Sequence, residues 1–449
     1  MVELPDRIVG QAYRSRQLWK TLIEFASIDG RVAGHEGEAT AASVLKDHFS
    51  RYAERVTTSQ FSVPKWSENE ASLTVPSAAD RDVRTSTPEL DIRALSGSPT
   101  GDVTTELVCV GNAHPDEYRA FDLDGTIVMA SSENPQSCDR WVHRMEKYAA
   151  AVDCGADGFL FRNCVEGRLP PAGDIGYENR PAPIPGAGVS AELGIRLRRY
   201  YGDRPQVRLR TDCETEPATS RNIEAVVGPE TQGAVVVTAH LDSHPLGEGA
   251  ADNAAGCALL VELARLLSQI QDSLDTQLRF VGFGAEEVGL YGSTAWAAER
   301  DLSEITCLVN LDGTTGSETL HVSLNSFTAL KSPFEQTAKA LYTPLSTDSS
   351  IIPHGDQWAV VKEGVPGVMV GAASDRTGRG WEHTAADTTD KIDIRNLRSI
   401  AIQVADVLVR LANHTAPLNR KSRTEIRDLL DEHYKTELKA RGQWPYGDT

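Results

Sequence analysis

The side chains best suited to chemistry lie in five short segments, each beside an apolar stretch that is predicted to be a strand. These segments are TAHLDSH with His240 and Asp242, GEGAADNAAG with Asp252, GFGAEEVGLYGS with Glu286 and Glu287, LVNLDG with Asp312, and WEHTAADT with His383. Imidazoles and carboxylates form a mixed nitrogen and oxygen ligand set that suits zinc, with cobalt or manganese as alternatives. Two imidazoles and three carboxylates are too many for one tetrahedral ion that keeps a position open for water. They suit two ions that share a bridging carboxylate.

Taken singly, each of these residues also has a structural explanation. Asp252 could cap a helix, Asp312 with Gly313 could form a turn, and Glu286–Glu287 could be a solvated pair. The glutamate pair, however, lies between a buried strand sequence and a glycine-rich turn, where one carboxylate can bind metal while the other handles protons. The evidence is the convergence of all five segments on one edge of a predicted sheet.

The elements that must position these residues alternate between strand and helix from about residue 218. Strands are predicted at 234–240, 278–284, 305–312 and 364–372, and amphipathic helices at 253–270, 289–300, 331–342 and 394–413. This alternation is typical of an α/β fold, a doubly wound and mainly parallel sheet that binds ligands at the carboxyl ends of its strands. Two more helices are predicted at 6–28 and 37–57, and one at 424–438 in a polar, surface-docked tail.

Between about 60 and 215 the pattern changes to short strands, turns and one helix at 138–154, which indicates a separate β-rich domain. We therefore predict a catalytic domain formed by 1–75 and 216–415. The inserted domain covers 76–215, and a C-terminal helical tail covers 416–449.

Composition limits the partners and the location. The 449 residues carry a net charge of −19, which disfavours nucleic acid and anionic membranes as partners. The seven cysteines form no C-x-x-C and several lie in apolar runs, which favours buried, reduced thiols. The N-terminal residues lack the apolar core of a signal peptide, and no apolar stretch is long enough to span a membrane. We expect a cytoplasmic protein that acts on a peptide or small amide, and a homo-oligomer remains open.

The motifs HLDS, GAADNAAG, FGAEEVGLYGS, NLDG and EHTAADT resemble, in this order, those of the co-catalytic zinc exopeptidases, which include bacterial leucyl aminopeptidases and glutamate carboxypeptidase. GHEGEATAASVLKDHF also resembles the N-terminal helix entry of this family. The resemblance implies two Zn²⁺ per chain, with Asp252 as the bridging ligand. It further implies that His240 and Asp312 bind one ion and that Glu287 and His383 bind the other.

The same resemblance implies roles for three residues that do not bind metal. Glu286 is expected to be the general base, and Asp242 the carboxylate that orients His240. Asp387 is expected behind the metal ligands, with a helix cap or a loop turn as the alternative.

The sequence departs from the family pattern at several positions. Ala251 replaces the first Asp of GADDN, and Gln357 replaces a His in HGDQW, while Asp356 is kept. Glu382 precedes the last ligand where some members have a tyrosine that bonds the oxyanion, so the oxyanion donor is left open. His354 and Asp356 are tentative substrate-binding residues.

A second resemblance covers about 100–200. FDLDGTIVMASS, KYAAAVDCGADGFLF and PAPIPGAGVS are similar to the protease-associated domain that many of these enzymes carry as an insertion. Such a domain is expected to limit access to the site.

The predicted function is that of a metal-dependent exopeptidase, most simply an aminopeptidase. A carboxypeptidase or another amide hydrolase is an alternative, for which Arg376 and Arg379 could recognise a carboxylate. A single-zinc acyltransferase of the glutaminyl-cyclase kind would keep only part of the ligand set. A non-catalytic peptidase-like receptor or scaffold would have lost ligands or the base.

Overall fold

The structure, a computed structural model, describes residues 3–75, 88–138, 140–178, 180–374, 379–414 and 418–447, with the backbone alone at 200 and 201. The α-helices are α1 (Asp6–Tyr13), α2 (Gln17–Ala26), α3 (Glu36–Phe49), α4 (Pro88–Asp91), α5 (Arg144–Asp153), α6 (Ala191–Tyr201), α7 (Ala255–Leu267), α8 (Tyr291–Ala298), α9 (Lys331–Leu341), α10 (Trp358–Val361), α11 (Ile394–Ala412), α12 (Arg423–Leu429) and α13 (Glu432–Arg441). The strands are β1 (Arg55–Thr74), β2 (Ile92–Ala94), β3 (Gly101–Gly111), β4 (Ile127–Ser131), β5 (Gly158–Arg162), β6 (Gly186–Val189), β7 (Gln206–Val227), β8 (Ala234–His240), β9 (Gln277–Phe283), β10 (Ile305–Leu311), β11 (Leu320–Ser323), β12 (Leu345–Asp348) and β13 (Gly367–Ala372).

These strands form one mixed sheet in the order β12-β11-β13-β10-β8-β9-β7-β3-β4-β5-β6-β2, with β1 paired to β7. The neighbours β13, β10, β8 and β9 are parallel, and so are β3, β4, β5 and β6. The long strand β7 is antiparallel to both β9 and β3 and therefore connects the two parallel groups. The predicted α/β class with a mainly parallel sheet is confirmed.

The first parallel group is buried on both faces, which is why its strands are nearly continuous apolar runs. In β8, Val235 and Val237 pack in the core that also contains residues of α2, α3, α7 and α11. Val236, between them, packs on the other face against Trp296 of α8 and Val360 of α10. This two-sided burial fixes the strand ends that carry the candidate site.

The second parallel group repeats the arrangement with its own apolar residues. In β4, Ile127 and Met129 pack with Leu73 of β1. Val128 and Ala130 pack on the opposite face. Because β1 and β7 run through both groups, the predicted division of the chain stays a prediction, and 76–87 lie outside the described residues.

Several predicted helices differ from the observed ones. The helix predicted at 6–28 is two helices, because Ser15 accepts a hydrogen bond from Leu18 N–H at 3.3 Å and begins a new one. The helix predicted at 37–57 ends at Phe49, and β1 follows. The tail helix is divided at Asp431, whose side chain caps α13 by accepting from His433 N–H. Helix α6 was not predicted.

The burial of the cysteines and the length of the apolar helices were also predicted from the sequence. Cys257 and Cys307 are buried as predicted, but the other five cysteines are only half-buried. No helix within the described ranges combines the length and the apolar character that crossing a bilayer needs.

Candidate metal centre

The predicted ligands lie at the carboxyl edge of the first parallel group. His240 is the last residue of β8, and Asp312 directly follows β10. Glu287 lies in the turn after β9, Asp252 in the irregular turn before α7, and His383 in the loop after β13. Parallel strands place these ends together because all of them run in the same direction.

Asp252 lies between the two predicted imidazole ligands. Its Oδ1 is 3.1 Å from Nε2 of His240, and its Oδ2 is 3.0 Å from Nε2 of His383. Asp312 Oδ1 lies 3.8 Å from His240 Nε2, and Glu287 Oε2 lies 3.7 Å from His383 Nε2. The structure thus brings all five predicted ligands together, with Asp252 in the position expected of a bridging carboxylate.

Asp242 and Asp387 hold the segments that carry these ligands. The carboxylate of Asp387 accepts from the backbone N–H groups of Ala251 and Asp252, at 2.8 and 3.1 Å. The carboxylate of Asp242 accepts from Glu286 and Glu287 N–H, at 3.0 and 3.1 Å. Each of the two aspartates therefore fixes the backbone at a carboxylate that is predicted to bind metal.

The role predicted for the Asp242 side chain stays a prediction. His240 Nδ1 lies 3.1 Å from the carbonyl oxygen of Asp242, and 3.5 Å from its Oδ1. Both the main chain and the carboxylate of Asp242 therefore lie beside the imidazole, and the carboxylate also holds the glutamate turn.

The turn after β9 explains how two neighbouring glutamates face one site. Ala285 has a φ of 55°, a left-handed conformation that reverses the alternation of the strand. Its N–H donates to Glu38 Oε1 at 2.7 Å, and Glu38 also accepts from Ser220 and Gly34. Burial raises the pKa of Glu38 to about 8. The sequence reasoning missed Glu38, because an acidic residue in the first turn of a helix has an ordinary dipole explanation.

Arg31 is a second supporting residue that the sequence did not reveal. Its buried guanidinium donates to the carbonyl oxygens of Leu241, Glu248 and Gly249, at 3.1, 3.0 and 2.8 Å. These carbonyls follow His240 and precede Asp252, so one side chain joins two ligand segments. Nothing near Arg31 in the sequence marks it, since its partners are more than 200 residues away.

The electrostatics of the cluster fit divalent cations. Burial, together with the charge of Asp252, raises the pKa of Glu287 to about 8, and burial raises that of Glu286 well above its usual range. Glu287 Oε1 and His383 Nδ1 are buried and have no hydrogen-bond partner in the described part of the chain. Ligand atoms of His240, Asp252 and Glu287 lie within 4.8 Å of one another. Crowded carboxylates beside unsatisfied ligand atoms are what a zinc pair would neutralise.

A cavity of about 320 Å³ opens onto these residues. Its floor includes Asp252, Glu286, Glu287, Asp312 and His383. Its walls include Trp141 and Arg144 from the β-rich part and Tyr434 and Arg441 from the C-terminal tail. The tail, predicted as a surface segment, therefore contributes to the candidate site, and Tyr434 and Arg441 are buried.

The remaining predicted residues lie in different places around this cavity. His354 and Glu382 line it, whereas Asp356 is fully buried and does not belong to the described lining. Burial raises the pKa of Asp356 to about 7. Arg379 lines the cavity, and its Nη1 lies 3.0 Å from His383 Nε2. Arg376 is outside the described residues.

A second carboxylate between imidazoles lies in the cavity wall, and we call His143, His354 and Glu437 the tail clamp. His354 Nε2 is 3.0 Å from both oxygens of Glu437, and His143 Nδ1 is 3.5 Å from Oε1. The two rings stack with centroids 4.0 Å apart. Arg441 Nη1 lies 3.8 Å from the same carboxylate and pairs with Asp174. The tail clamp joins α13 to the β-rich part and to the loop before α10.

Comparison with known proteins gives two family matches. The sequence model of peptidase family M28 matches residues 222–408, and the sequence model of the PA domain matches residues 102–197. The first range contains all five predicted ligands.

Individual proteins agree with these matches. Aminopeptidase YwaD of Bacillus subtilis (strain 168) is 24% identical over 429 residues, covering 92% of this chain and 87% of that protein. Leucine aminopeptidase 2 of Trichophyton rubrum is 30% identical over 262 residues, covering 56% of this chain but 48% of that protein. The fold is similar to that of BSAP, a zinc aminopeptidase from Bacillus subtilis, with a TM-score of 0.69 at 23% identity over 94% of this chain and 99% of that one.

Proposed function

The chain is a metallopeptidase that belongs to peptidase family M28 and carries a PA domain, and from this premise we propose that it is an aminopeptidase using two zinc ions. The observation that carries the proposal is the position of Asp252 between His240 and His383, at 3.1 and 3.0 Å. One carboxylate with an imidazole at each oxygen suits a bridge between two ions. Asp312 and Glu287 then complete one position each.

Zinc ions held by these residues would polarise the scissile carbonyl and make the attacking water more acidic. Glu286 lines the cavity beside the ligands and is not needed as a ligand itself. We assign to its carboxylate the transfer of a proton from the attacking water to the leaving amine. Asp242 holds the Glu286 backbone in place, so the base and Glu287 are positioned by one side chain.

The walls of the cavity support a reaction at chain ends. A volume of about 320 Å³ is near the lower limit for small-molecule pockets, and it suits one or two residues of a peptide. The β-rich part and the tail both contribute walls above the floor of ligands. A long polypeptide passing through the site would need to displace them, whereas a terminus would not.

A carboxypeptidase is the second candidate, because three arginines line the same cavity: Arg144, Arg379 and Arg441. A substrate carboxylate could bind to such a group. Two of them are already engaged, since Arg441 pairs with Asp174 and Arg144 Nε donates to the Asp174 carbonyl at 3.0 Å. This engagement is why we favour the aminopeptidase.

One assay separates the candidates. The zinc-loaded protein is given a peptide series with the amino end free or acetylated and the carboxyl end free or amidated. We expect hydrolysis to require a free amino end, to tolerate amidation, and to stop on chelation and return with zinc. Cleavage of acetylated peptides that needs a free carboxyl end would favour the carboxypeptidase. No cleavage of any member by zinc-loaded protein would favour a non-catalytic role.

A further inference from the structure

His244 lies in the loop that follows β8, four residues after His240 at the end of HLDSH, and the resemblance to a known family implies no role for it. Its side chain is buried, and its ring centroid is 3.9 Å from that of His383. Its Nε2 lies 2.8 Å from Oε2 of Glu287. A third imidazole therefore reaches the predicted metal ligands on the side of Glu287 and His383.

The contact between His244 and Glu287 is short, but it is not a hydrogen bond. His244 Nε2 has no hydrogen-bond partner within the described ranges, although the oxygen is only 2.8 Å away. The ring nitrogen is therefore not directed at that oxygen. By contrast, His48 Nε2 lies at the same distance, 2.8 Å, from Glu24 Oε2 and does form a hydrogen bond.

Two polar atoms that lie close together without pointing at each other are typical of ligands around a common ion. Glu287 Oε1 is unpartnered as well, and so is His383 Nδ1. Ligand atoms of His244, Glu287 and His383 all lie within 4.8 Å of one another. His244 and Glu287, each with an unsatisfied atom, thus surround one position together with His383, whose Nε2 faces Glu287 at 3.7 Å.

We propose that His244 is a metal ligand at the position formed by Glu287 and His383. This inference rests on the two-ion site of the proposed function and makes its two positions unequal. One position then has His244, His383, Glu287 and Asp252, a set of four that resembles closed zinc sites. The other has His240, Asp312 and Asp252, and three protein ligands keep a position open for water.

The unequal positions predict stepwise metal binding. Zinc favours imidazole nitrogen, so the four-ligand position should fill first. We expect the metal-free wild-type protein to bind a first and a second zinc ion with dissociation constants at least about tenfold apart. Residues that only hydrogen-bond to a metal ligand already change metal affinity by that factor, and an additional ligand should change it at least as much. Competition with a chromogenic chelator measures both steps.

His244→Ala and His244→Gln test the assignment. Glutamine can still donate a hydrogen bond to Glu287 but is a poor zinc ligand. We expect both variants to weaken the first step at least about tenfold and to leave the second within about threefold. Full retention of the first step in His244→Gln would overturn the proposal and leave His244 a packing role beside His383.

The matched control is His48→Gln, which changes a buried imidazole at the same distance from a glutamate, far from the ligands in the sequence. It should bind both ions as the wild type does. Circular dichroism checks that each variant is folded.

A measurement on the wild type does not depend on any variant. Protein loaded with one equivalent of Co²⁺ should show, by X-ray absorption, two imidazole nitrogens on the first ion. One imidazole would overturn the assignment even if the enzyme binds two ions and cleaves peptides. A protein that binds no ion at all would instead overturn the proposed function together with this inference.

Discussion

The described part of the chain contains two buried carboxylates that each lie beside two imidazoles, and their surroundings differ. Asp252 has His240 and His383 at 3.1 and 3.0 Å, and Glu437 has His354 and His143 at 3.0 and 3.5 Å. Around Asp252 there are further carboxylates and unpartnered ligand atoms. Around Glu437 there is Arg441, and the rings stack.

The difference lies in the balance of charge. Glu286, Glu287 and Asp312 line the same cavity as Asp252. These four carboxylates exceed the positive charge that two imidazoles and the neighbouring Arg379 can supply. At the tail clamp one carboxylate meets two imidazoles and a guanidinium, which satisfy it without any ion. Under the proposed function, similar geometry serves metal binding in one place and the attachment of a helix in the other.

Glu286→Gln should have the largest effect on activity. Loss of the general base should lower kcat by about 10²- to 10⁴-fold, while zinc content stays unchanged because Glu286 is not a ligand. Glu437→Gln, the same chemical change at the tail clamp, should lower kcat less than tenfold. Steady-state kinetics with metal analysis of both proteins checks the pair. Retained turnover in a fully loaded Glu286→Gln protein would remove Glu286 from its role.

Asp252→Asn tests the difference between the two carboxylates by its effect on zinc binding. Because Asp252 faces both imidazoles, the variant should bind each ion more weakly. The loss of affinity should exceed the factor of about 10 to 100 that is typical when a residue hydrogen-bonded to a metal ligand is removed. Glu437→Gln should bind zinc as the wild type does. Equilibrium dialysis measures both. Equal zinc loss in the two variants would mean that the tail clamp is also a metal site.

Most of the fold and of the ligand set could be predicted from the sequence, for an identifiable reason. Strand β8 is buried on both faces, so its apolar run ends at His240 without ambiguity, and the same holds for β10 before Asp312. Such a signal is local, because strand, strand end and ligand are adjacent in the chain.

The residues that were missed depend on contacts between distant segments. Arg31 acts through carbonyls of residues 241–249, and Glu437 meets His143 of another part of the chain. His244 lies beside a predicted ligand, yet only the fold shows that it turns toward Glu287. No periodicity or spacing records these contacts, and a polar tail has the same composition whether it covers a site or not.

Glu437→Gln should have a moderate effect on stability. Replacing the carboxylate by an amide removes the negative charge and one of the two acceptor oxygens beside the buried imidazoles, at a cost of about 1–3 kcal/mol in the free energy of unfolding. The tail should then detach more readily and become open to proteolysis near α12 and α13. Denaturant unfolding and limited proteolysis measure this. The matched control is Glu432→Gln, since Glu432 is exposed on the same helix and its variant should behave like the wild type.

The smallest effect concerns pH and follows from the same cluster. Burial and the neighbouring His354 hold the pKa of His143 well below its usual range. Burial opposes the charge of Glu437, but His354 and His143 outweigh it and hold its pKa well below the ordinary value. Both groups bind more protons when unfolded. The stability that the two groups contribute is therefore complete above about pH 6.5. As the pH falls below that value, protonation of His143 in the unfolded state lowers the stability, and below about pH 4.3 protonation of Glu437 lowers it further.

Unfolding free energies of the wild type between pH 7 and 5 should therefore decrease more steeply than those of His143→Gln, which lacks the titrating imidazole. The comparison is made on zinc-free protein, so that release of metal by acid does not contribute. Equal slopes in the two proteins would show that His143 carries no proton-linked stability. The tail clamp would then attach α13 through the hydrogen bonds between Glu437 and His354 and through the stacked rings, without a proton-linked contribution from His143.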